Sequence, residues 1–391
     1  MVNKYYNLSR FKPKGFPVRH KHKDVFDPRI TISPEFSSRV RKIRELDVEF
    51  NRFILRADDY FDLIADAYAS NIHWSTSLEG NPLSEDEVRI VTRETLSGMG
   101  RERKGGPSQE VVNHLVKVYA PNAFELPWTD RTICRLNEFL LSDTGNTARI
   151  GAYRESRVMV GDALTGEEHF IPAPPEYISD YMARLIEWTN GQAAAYEPIA
   201  AATVMFHEFE SIHPFEDGNG RTGRCLFHLY LQHRALNNSH LCMIDRKILE
   251  DQDLYYDLLG YADETGSYKE LIDLISIAIL ESYEEAFQTL SRKDLLGSGI
   301  DETSKRLLIK ARAHKEYFSL AEAKEWIDLV GEQTIRKRLN ELEELGALES
   351  IGRTRSKRYR MKDPLLKYKE RILEPGSMAT PNNGASSSDR R

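Results

Sequence analysis

The sequence predicts a mainly α-helical protein: a helical core that carries a small β-hairpin, followed by a winged helix-turn-helix domain. Three observations support this fold class. Apolar residues recur at helical spacing through most of the chain from Pro34 to about Arg292. Two short extended runs around a Gly-containing turn interrupt these helices near residues 157–172. After a Gly-Ser-Gly stretch at 297–299, the pattern changes to three short helices and a second hairpin.

Length and composition limit the classes of protein that the chain can represent. Its 391 residues are enough for two or three domains. The apolar content of 40% and the net charge of −7 are ordinary for a soluble protein and do not favour whole-protein affinity for nucleic acid. The sequence shows neither a run of transmembrane length nor the apolar core of a signal peptide. The three cysteines lack C-x-x-C spacing, so we expect a protein of the reducing cytoplasm without a membrane partner.

Residues 1–33 form a basic N-terminal arm, and residues 34–107 form a helical region. We expect the arm to be solvated and to pack late onto the core. A helical stretch begins near Pro34 and ends at residues 75–81, because Gly80 suits a helix C-terminus and Pro82 forbids continuation. A further helix over 82–99 precedes a Gly-Gly-Pro loop. The basic residues of the arm are Lys4, Arg10, Lys12, Lys14, Arg19, Lys21 and Lys23.

Residues 108–292 form the predicted core. Pro214 ends one of its helices, and the hairpin turns at Thr165-Gly166. An ordinary surface hairpin would fit this local sequence equally well. The predicted core helices lie at 108–120, 128–141, 175–189, 198–212 and 221–235, and the hairpin strands lie at 157–161 and 169–172. Residues 258–287 show further apolar periodicity.

The densest group of chemically useful residues is the segment 213–224, HPFEDGNGRTGR, between two of these helices. Gly218 and Gly220 permit left-handed backbone angles and expose successive N–H groups to anionic oxygens. The helix that follows adds unpaired N–H groups and the positive end of its dipole. Arg221 and Arg224 lie three apart on its first turn, where cations oppose the dipole unless they face bound phosphate. The segment therefore suits a nucleotide polyphosphate.

Two other residues of the segment supply chemistry. Asp217 precedes the glycines, where a carboxylate can hold Mg²⁺ against the same phosphates. His213 is a suitable base near neutral pH. The glycines at 218, 220 and 223 also spell G-x-G-x-x-G, but a helix and not a strand precedes them, so a Rossmann site is rejected.

Residues 213–224 resemble the signature of the Fic family, H-x-F-x-[DE]-G-N-G-R-x-x-R, at every fixed position. The resemblance implies a helical Fic core that transfers AMP from ATP to a Tyr, Thr or Ser hydroxyl of a target protein, and to itself. In this family His213 would deprotonate the hydroxyl, Phe215 would pack inward, and Asp217 would bind Mg²⁺. Doc-type relatives that phosphorylate depart from the signature, whereas this chain keeps both glycines.

The same resemblance implies a set of phosphate-binding residues. They comprise an anion hole of backbone groups and two guanidiniums: Gly218, Asn219 and Gly220, with Arg221 at the β-phosphate and Arg224 at the γ-phosphate. Fic relatives often place aromatic residues beside the adenine, where Tyr255 and Tyr256 lie here. Adjacent residues of a helix point to different faces, so at most one of these tyrosines could line that pocket.

Upstream, Ser75, Glu79 and Gly80 resemble the inhibitory motif [S/T]-x-x-x-E-[G/N] of self-regulated Fic proteins. Its position matches the subgroup that carries the inhibitor N-terminal to the Fic core. The negative charge of a glutamate at a helix C-terminus interacts unfavourably with the helix dipole. A cation from another part of the chain would compensate for this cost. The resemblance implies that Glu79 pairs with Arg224 and blocks productive seating of the γ-phosphate. The alternative is an ordinary surface glutamate.

The hairpin would be the flap on which Fic proteins dock the target by strand pairing. The implied docking residues are Val158, Met159, Val160, His169 and Phe170.

Residues 300–373 read as a winged helix-turn-helix, and residues 374–391, rich in Pro, Gly, Ser and Asn, are expected to be disordered. Basic residues of its third helix and wing could neutralise DNA phosphates. Such modules also serve as protein-docking or dimerisation units, and the acidic far end of the helix (Glu341, Glu343, Glu344) argues against DNA there. The basic residues are Arg336, Lys337, Arg338, Arg353, Arg355, Lys357, Arg358 and Arg360.

Three functions therefore stay open from the sequence. The first is a protein adenylyltransferase with a built-in inhibitory helix. The second uses the same site to remove AMP from targets, with Glu79 positioning a water. The third is a DNA-binding regulator in which the helical core only senses nucleotide.

Overall fold

A computed structural model describes residues 7–21, 26–98, 105–115, 124–161, 167–295, 300–314, 316–353 and 356–362. Helices dominate these residues, and the strands form two small three-stranded sheets. The predicted mainly helical fold class is confirmed. The linker at 297–299, the turn at 165–166, Arg355 and the tail at 374–391 lie outside the described residues.

The N-terminal helical region contains two helices where the sequence predicted one long stretch from Pro34. The chain leaves the helix at residues 51–56, where Ile54 is buried in a separate apolar cluster formed mainly by residues after 300. Burial of Ile54 there requires the break. The helices of this region are α1 (Pro34–Phe50), α2 (Ala57–Ser77), α3 (Glu85–Ser97) and α4 (Gly106–His114).

Local sequence fixes the ends of these helices. The side chain of Ser33 accepts a hydrogen bond from the Phe36 N–H and caps α1. Ser84 and Glu87 form a capping box at the start of α3. After α2, Gly80 adopts a left-handed φ of 85°, which ends the helix as the sequence predicted.

The central helices pack around a single large apolar cluster. The apolar periodicity over 258–287 belongs to two helices, because Gly266, at a left-handed φ of 75°, ends one helix before Lys269 starts the next. The central helices are α5 (Asp130–Leu141), α6 (Ile178–Asn190), α7 (Pro198–Ile212), α8 (Asn219–Arg234), α9 (Ile244–Leu249), α10 (Gln252–Thr265) and α11 (Lys269–Lys293).

Helices α7 and α8 form the middle of this core and flank residues 213–218, which connect them. Nearly every residue of α7 is buried, as is α8 from Asn219 to Leu231. Both helices therefore lie inside the protein, and polar side chains of α8 such as Arg221 and Arg224 are buried with it. The connection between α7 and α8 is therefore held from both sides by rigid, buried elements.

The predicted hairpin is present as β2 (Val160–Gly161) and β3 (Glu168–Ile171), paired antiparallel with Val160 opposite Phe170. A third strand, β1 (Val18–Arg19), pairs parallel with β3 and comes from the N-terminal arm. The arm is thus not simply solvated: Leu8 and Val18 are buried, and the chain between them packs on α10. Sequence reasoning missed β1 because a two-residue strand has no periodicity to detect.

The C-terminal unit has its own apolar core of side chains such as Leu307, Phe318 and Leu339. Its sheet has the order β4-β6-β5, and β4 was not predicted. The capping box at Ser319 and Glu322 is present. The elements are α12 (Glu302–His314), β4 (Phe318–Ser319), α13 (Leu320–Trp326), α14 (Glu332–Glu344), β5 (Leu348–Ile351) and β6 (Arg358–Met361).

No helix among the described residues combines the length and the apolar content that crossing a membrane requires.

Candidate active site

The connection between α7 and α8 is a tight loop closed by its own side chains. His213 ends α7 at a left-handed φ of 52°, and Gly218 starts α8 at a φ of 77°. Between them Phe215 is fully buried, as expected from the signature. The side-chain amide of Asn219 accepts from the Phe215 N–H at 2.8 Å and donates to its C=O at 2.9 Å. The loop is therefore a preorganised unit that projects His213 and Asp217 from one edge.

The position of the Asn219 side chain refines its predicted role. Because this amide is spent on Phe215 and is buried, only the backbone of Asn219 is left for an anion hole. Gly218 has no room for a side chain: a Cβ there would lie 2.7 Å from Cδ1 of Leu141. The glycine is required both by its φ and by this close packing.

Asn137 of α5 is a supporting residue that sequence reasoning missed. Its amide donates to the Asp217 C=O at 3.0 Å and accepts from the Gly151 N–H at 2.9 Å. Asn137 is fully buried. It therefore ties the loop to α5 and to the segment that leads into the hairpin.

Arg154 is a second support that the sequence did not reveal. Its guanidinium is buried and donates to the C=O groups of His213 at 2.7 Å, Ser156 at 2.7 Å and Ala173 at 2.5 Å. Burial lowers the pKa of Arg154, but the carbonyl oxygens accept hydrogen bonds from its N–H groups. The side chain fastens the loop at His213 to both ends of the hairpin segment.

Replacement of Arg154 by Ala should destabilise the fold, because it removes a buried guanidinium that donates to the C=O groups of His213, Ser156 and Ala173. We expect a loss of about 3 kcal/mol in the free energy of unfolding, measured by urea denaturation. Arg149→Ala is the matched control, since Arg149 forms an exposed pair with Glu155 and should cost less than about 1 kcal/mol. Equal losses in the two variants would show that Arg154 has no such role.

His213 is held with one ring nitrogen toward its own helix. Its Nδ1 lies 3.3 Å from the Glu210 C=O. An Nδ1–H that donates there leaves Nε2 with the lone pair of a base. Burial lowers the pKa of His213 to about 4, so the imidazole is neutral at pH 7. The structure therefore presents an unprotonated base at the predicted position.

Asp217 and Arg221 form a partly buried charge cluster with a partner that the sequence did not identify. Arg221 donates to Asp217 Oδ1 at 2.6 Å and to Glu110 Oε1, from α4, at 2.7 Å. Although partial burial opposes it, the positive charge of Arg221 lowers the pKa of Asp217, and Asn146 contacts its other oxygen. Asp217 is therefore ionised at neutral pH.

The surroundings of Asp217 fit a Mg²⁺ ligand. Mg²⁺ in nucleotide sites takes one or two carboxylates and completes its shell with phosphate oxygens and water. Asp217 is a half-buried, ionised carboxylate beside the N-terminus of α8. Among the described residues there is no group of three or more His, Cys, Asp or Glu side chains that could hold an ion without such a substrate.

Arg224 is held by the segment that ends α2. Its Nε donates to Ser75 Oγ, and its Nη2 donates to the Ser75 C=O and to Glu79 Oε1, each at 2.8 Å. The side chain of Arg224 is 8% exposed and that of Glu79 is 26% exposed. The structure thus brings together Ser75, Glu79 and Arg224, 149 and 145 residues apart in the chain.

Gly220 gives the Glu79 carboxylate access to α8. A Cβ at position 220 would collide with Glu79 Oε1 and would lie 2.8 Å from Nη1 of Arg224. Glu79 therefore lies over the first turn of α8, where the helix dipole favours an anion. The resemblance to the Fic family implies that the phosphates of ATP bind at this same surface.

The two tyrosines of α10 separate as the sequence predicted. Tyr255 is buried at 2% exposure, whereas Tyr256 is 49% exposed. Electrostatic effects of Arg224 and Glu79 reach both hydroxyls, so α10 lies along the same side of the site. Tyr256 is the one that a ligand could contact without rearrangement of the core.

The predicted docking residues do not all belong to the hairpin strands. Val160, His169 and Phe170 do, but Val158 and Met159 precede β2, and Met159 is exposed. The arm holds the sheet beside α7, because His20 Nδ1 lies 2.8 Å from Ser211 Oγ, two residues before His213.

Several basic residues of the C-terminal unit already have acidic partners. Arg336 pairs with Glu332, Lys337 with Glu341, Arg338 with Asp301 and Glu341, Lys357 with Glu343, and Arg360 with Glu349. Arg353 and Arg358 are exposed, and Arg355 is outside the described residues. The positive surface is smaller than the sequence suggested.

The fold and its loop thus form a helical domain in which a connection between two buried helices presents a base, a carboxylate and two arginines. The model of the Fic/DOC family matches residues 127–231, which include this loop. The solved structure of a Fic family protein from Desulfovibrio desulfuricans has the same fold, with a TM-score of 0.57, 23% identity, and coverage of 86% of this chain and 98% of that one. These findings support a Fic/DOC domain.

Curated relatives match at low identity. A protein adenylyltransferase fic-1 of Caenorhabditis elegans is 23% identical over 195 residues, 49% of this chain and 37% of that protein. A protein adenylyltransferase Fic of Aedes aegypti is 27% identical over 223 residues, 54% of this chain and 40% of that protein. The matches thus span about two fifths of the length of these relatives.

Proposed function

We propose that the protein is an adenylyltransferase that moves AMP from ATP to a Tyr, Thr or Ser hydroxyl of a protein target, or of itself. The observation that carries this proposal is the loop at 213–224, which presents a neutral His213 and an ionised Asp217 beside two arginines at a helix N-terminus. The adenylyltransferase relatives support the same activity.

In the proposed reaction, Nε2 of His213 takes the proton of the target hydroxyl while the hydroxyl oxygen attacks the α-phosphorus of ATP. The new bond joins that oxygen to phosphorus, and the bond to the leaving pyrophosphate breaks. Backbone N–H groups at the start of α8 and the Arg221 guanidinium would stabilise the negative charge. Mg²⁺, when bound at Asp217, would neutralise charge on the phosphates.

Glu79 is the proposed brake on this reaction. Its carboxylate accepts a hydrogen bond from the Arg224 guanidinium. In the proposed reaction this guanidinium would instead bind the γ-phosphate of ATP. A triphosphate could bind with its last phosphate misplaced, so that the α-phosphorus is not in line with the hydroxyl. The target segment would add as a strand to the small sheet beside α7.

The direct test is incubation of the full chain and of Glu79→Gly with Mg²⁺ and ATP labelled on the α-phosphate. Protein-linked AMP, located by mass spectrometry, is expected in the variant above the parent level. Absence of label in both, with nucleotide bound, would favour the regulator over the enzyme. Loss in the variant of an AMP-removing activity that the parent has would favour the reverse reaction, in which Glu79 positions a water.

DNA stays a proposed partner of the C-terminal unit, and a protein or a second copy of the chain is the alternative. If DNA binds, Arg353→Ala with Arg358→Ala should weaken it and reduce the log–log salt slope by about one per lost phosphate contact. Retention of the full chain on duplex DNA at several salt concentrations measures this. Lys337→Ala is the paired-residue control, and an identical slope in all three proteins would exclude the wing as the contact.

A further inference from the structure

A second carboxyl group, that of the Glu210 side chain, lies close enough to Arg224 for the two to interact electrostatically, and it has no part in the mechanism above. Glu210 is in the last turn of α7, three residues before His213. Its Oε1 is buried and has no hydrogen-bond partner among the described residues. Buried polar atoms are nearly always hydrogen-bonded, so an exception at a functional site calls for an explanation.

Two glycines on one face of α8 allow two carboxylates to approach that helix. A Cβ at Gly220 would collide with Glu79 Oε1, and a Cβ at Gly223 would collide with Glu210 Oε1. Residues three apart share a helix face, so the two carboxylates lie side by side along it. The signature leaves position 223 free, and the glycine in this chain leaves room there for the Glu210 carboxyl group in its present position.

The charges of the three side chains are coupled. Burial is the main effect that raises the pKa of Glu210 to about 8, Arg224 opposes this rise, and Glu79 adds to it. While Glu79 is in place, the Glu210 side chain is therefore mostly a neutral carboxylic acid near pH 7. Since Glu79 disfavours the ionised form of Glu210, withdrawal of Glu79 favours ionisation. Glu210 becomes a stronger acceptor at the moment when Arg224 loses its partner.

Among the described residues, the hydrogen-bond partners of the Arg224 side chain belong to one short segment. Ser75 Oγ, the Ser75 C=O and Glu79 Oε1 lie at or just beyond the end of α2. A shift of this segment would release Arg224 from the three together. Glu210 belongs instead to α7 in the middle of the core, so it keeps its place when the end of α2 moves.

We propose that Glu210 is a positioning residue that holds Arg224 toward the γ-phosphate of ATP once Glu79 has withdrawn. The inference rests on the proposed function, because it takes the γ-phosphate as the anion at Arg224. A guanidinium has five N–H donors in a planar fork, so it can bind a carboxylate on one edge and a phosphate on another. Arg224 would thus pass from one carboxylate to the other and stay preorganised.

The test compares ATP and ADP binding to the full chain by calorimetry, in Glu79→Gly with and without Glu210→Gln. ADP lacks the γ-phosphate, so the contact from Arg224 appears as a preference for ATP over ADP. We expect Glu210→Gln to lower this preference about tenfold, the size of one charge-assisted hydrogen bond, and to leave ADP affinity nearly unchanged. In AMP transfer, the KM for ATP should rise more than kcat falls.

Two further variants guard against a merely structural effect. Glu210→Asp keeps a carboxylate and should retain part of the preference. Glu216→Gln removes an exposed carboxylate from the connection between α7 and α8 and should retain the whole preference for ATP over ADP. A general loss of folding would lower ATP and ADP affinity together, which the Asp variant and the ratio of the two affinities would reveal.

An unchanged preference in Glu79→Gly with Glu210→Gln would overturn the role of Glu210 while leaving the proposed function intact. Activation of the parent by Glu210→Gln alone would also overturn it, because Glu210 would then be a second brake. If Glu79→Gly shows neither an ATP preference nor AMP transfer, the proposed function fails, and the positioning role fails with it.

Discussion

Replacement of His213 by Ala should abolish AMP transfer while ATP binding stays largely intact. The loss should be roughly 10²- to 10⁴-fold, the usual contribution of a general base. Nucleotide affinity should persist, because the N–H groups of α8, Asp217 and both arginines remain. The measurement is kcat in the Glu79→Gly background, because its higher expected activity allows a loss of this size to be detected.

The conformation of His213 calls for a second variant. Its φ of 52° suits His and Asn better than Ala, so Ala adds about 1 kcal/mol of backbone strain to the loss of the base. His213→Asn removes the base without this strain. If the role is chemical, both variants should be equally inactive; activity that returns in the Asn variant would assign the effect to loop conformation.

The pKa of His213 also predicts the pH dependence of the reaction. The reactive form is neutral, and burial lowers the pKa from 6.5 to about 4, so the base is already available at pH 5. The acid limb of kcat/KM, which reports the free enzyme, should therefore lie near pH 4 and not near 6.5. The free energy of unfolding also depends on this pKa. Because the unfolded chain binds the proton more tightly than the folded chain, the free energy of unfolding falls as pH drops from about 6.5 toward 4.

Much of the site could be predicted because the loop is local in sequence. His213, Asp217, Arg221 and Arg224 lie within one connection and one helical turn, and local rules for glycine, proline and helix ends fix their relative positions. The break after α2 at Gly80 followed from the same rules. The pairing with Glu79 followed from the family resemblance and not from any local rule.

The supporting residues could not be predicted, because contacts across long stretches of chain define them. Glu110, Asn137 and Arg154 reach the loop from other elements, and each is ordinary within its own segment. Tertiary packing likewise overrode the helical pattern at Ile54, whose burial in the C-terminal core breaks the predicted long helix. A signal existed for Glu210: the glycine at position 223 leaves space that the signature does not require.

Replacement of Glu79 by Gly should raise self-modification and target modification by roughly 10- to 150-fold. A partly buried, charge-assisted pair contributes about 1.5–3 kcal/mol, and its loss changes the population of the competent state by this factor. The Glu79 side chain retains some exposure, so high salt should narrow the gap between the variant and the parent. Initial rates with labelled ATP, at matched protein concentration, measure the factor.

A graded series tests whether the charge of Glu79 is the cause. Glu79→Gln keeps the shape and one acceptor but loses the charge, so it should be activated less than Glu79→Gly. Ser75→Ala removes the hydroxyl that accepts from Arg224 Nε but keeps the backbone C=O, so its activation should be smaller still. Glu79→Gly combined with Arg224→Ala should be inactive, since release of an arginine that is absent gains nothing. A folded Glu79→Gly no more active than the parent would end the brake hypothesis, and full activity of the double variant would show that Arg224 does not hold the γ-phosphate.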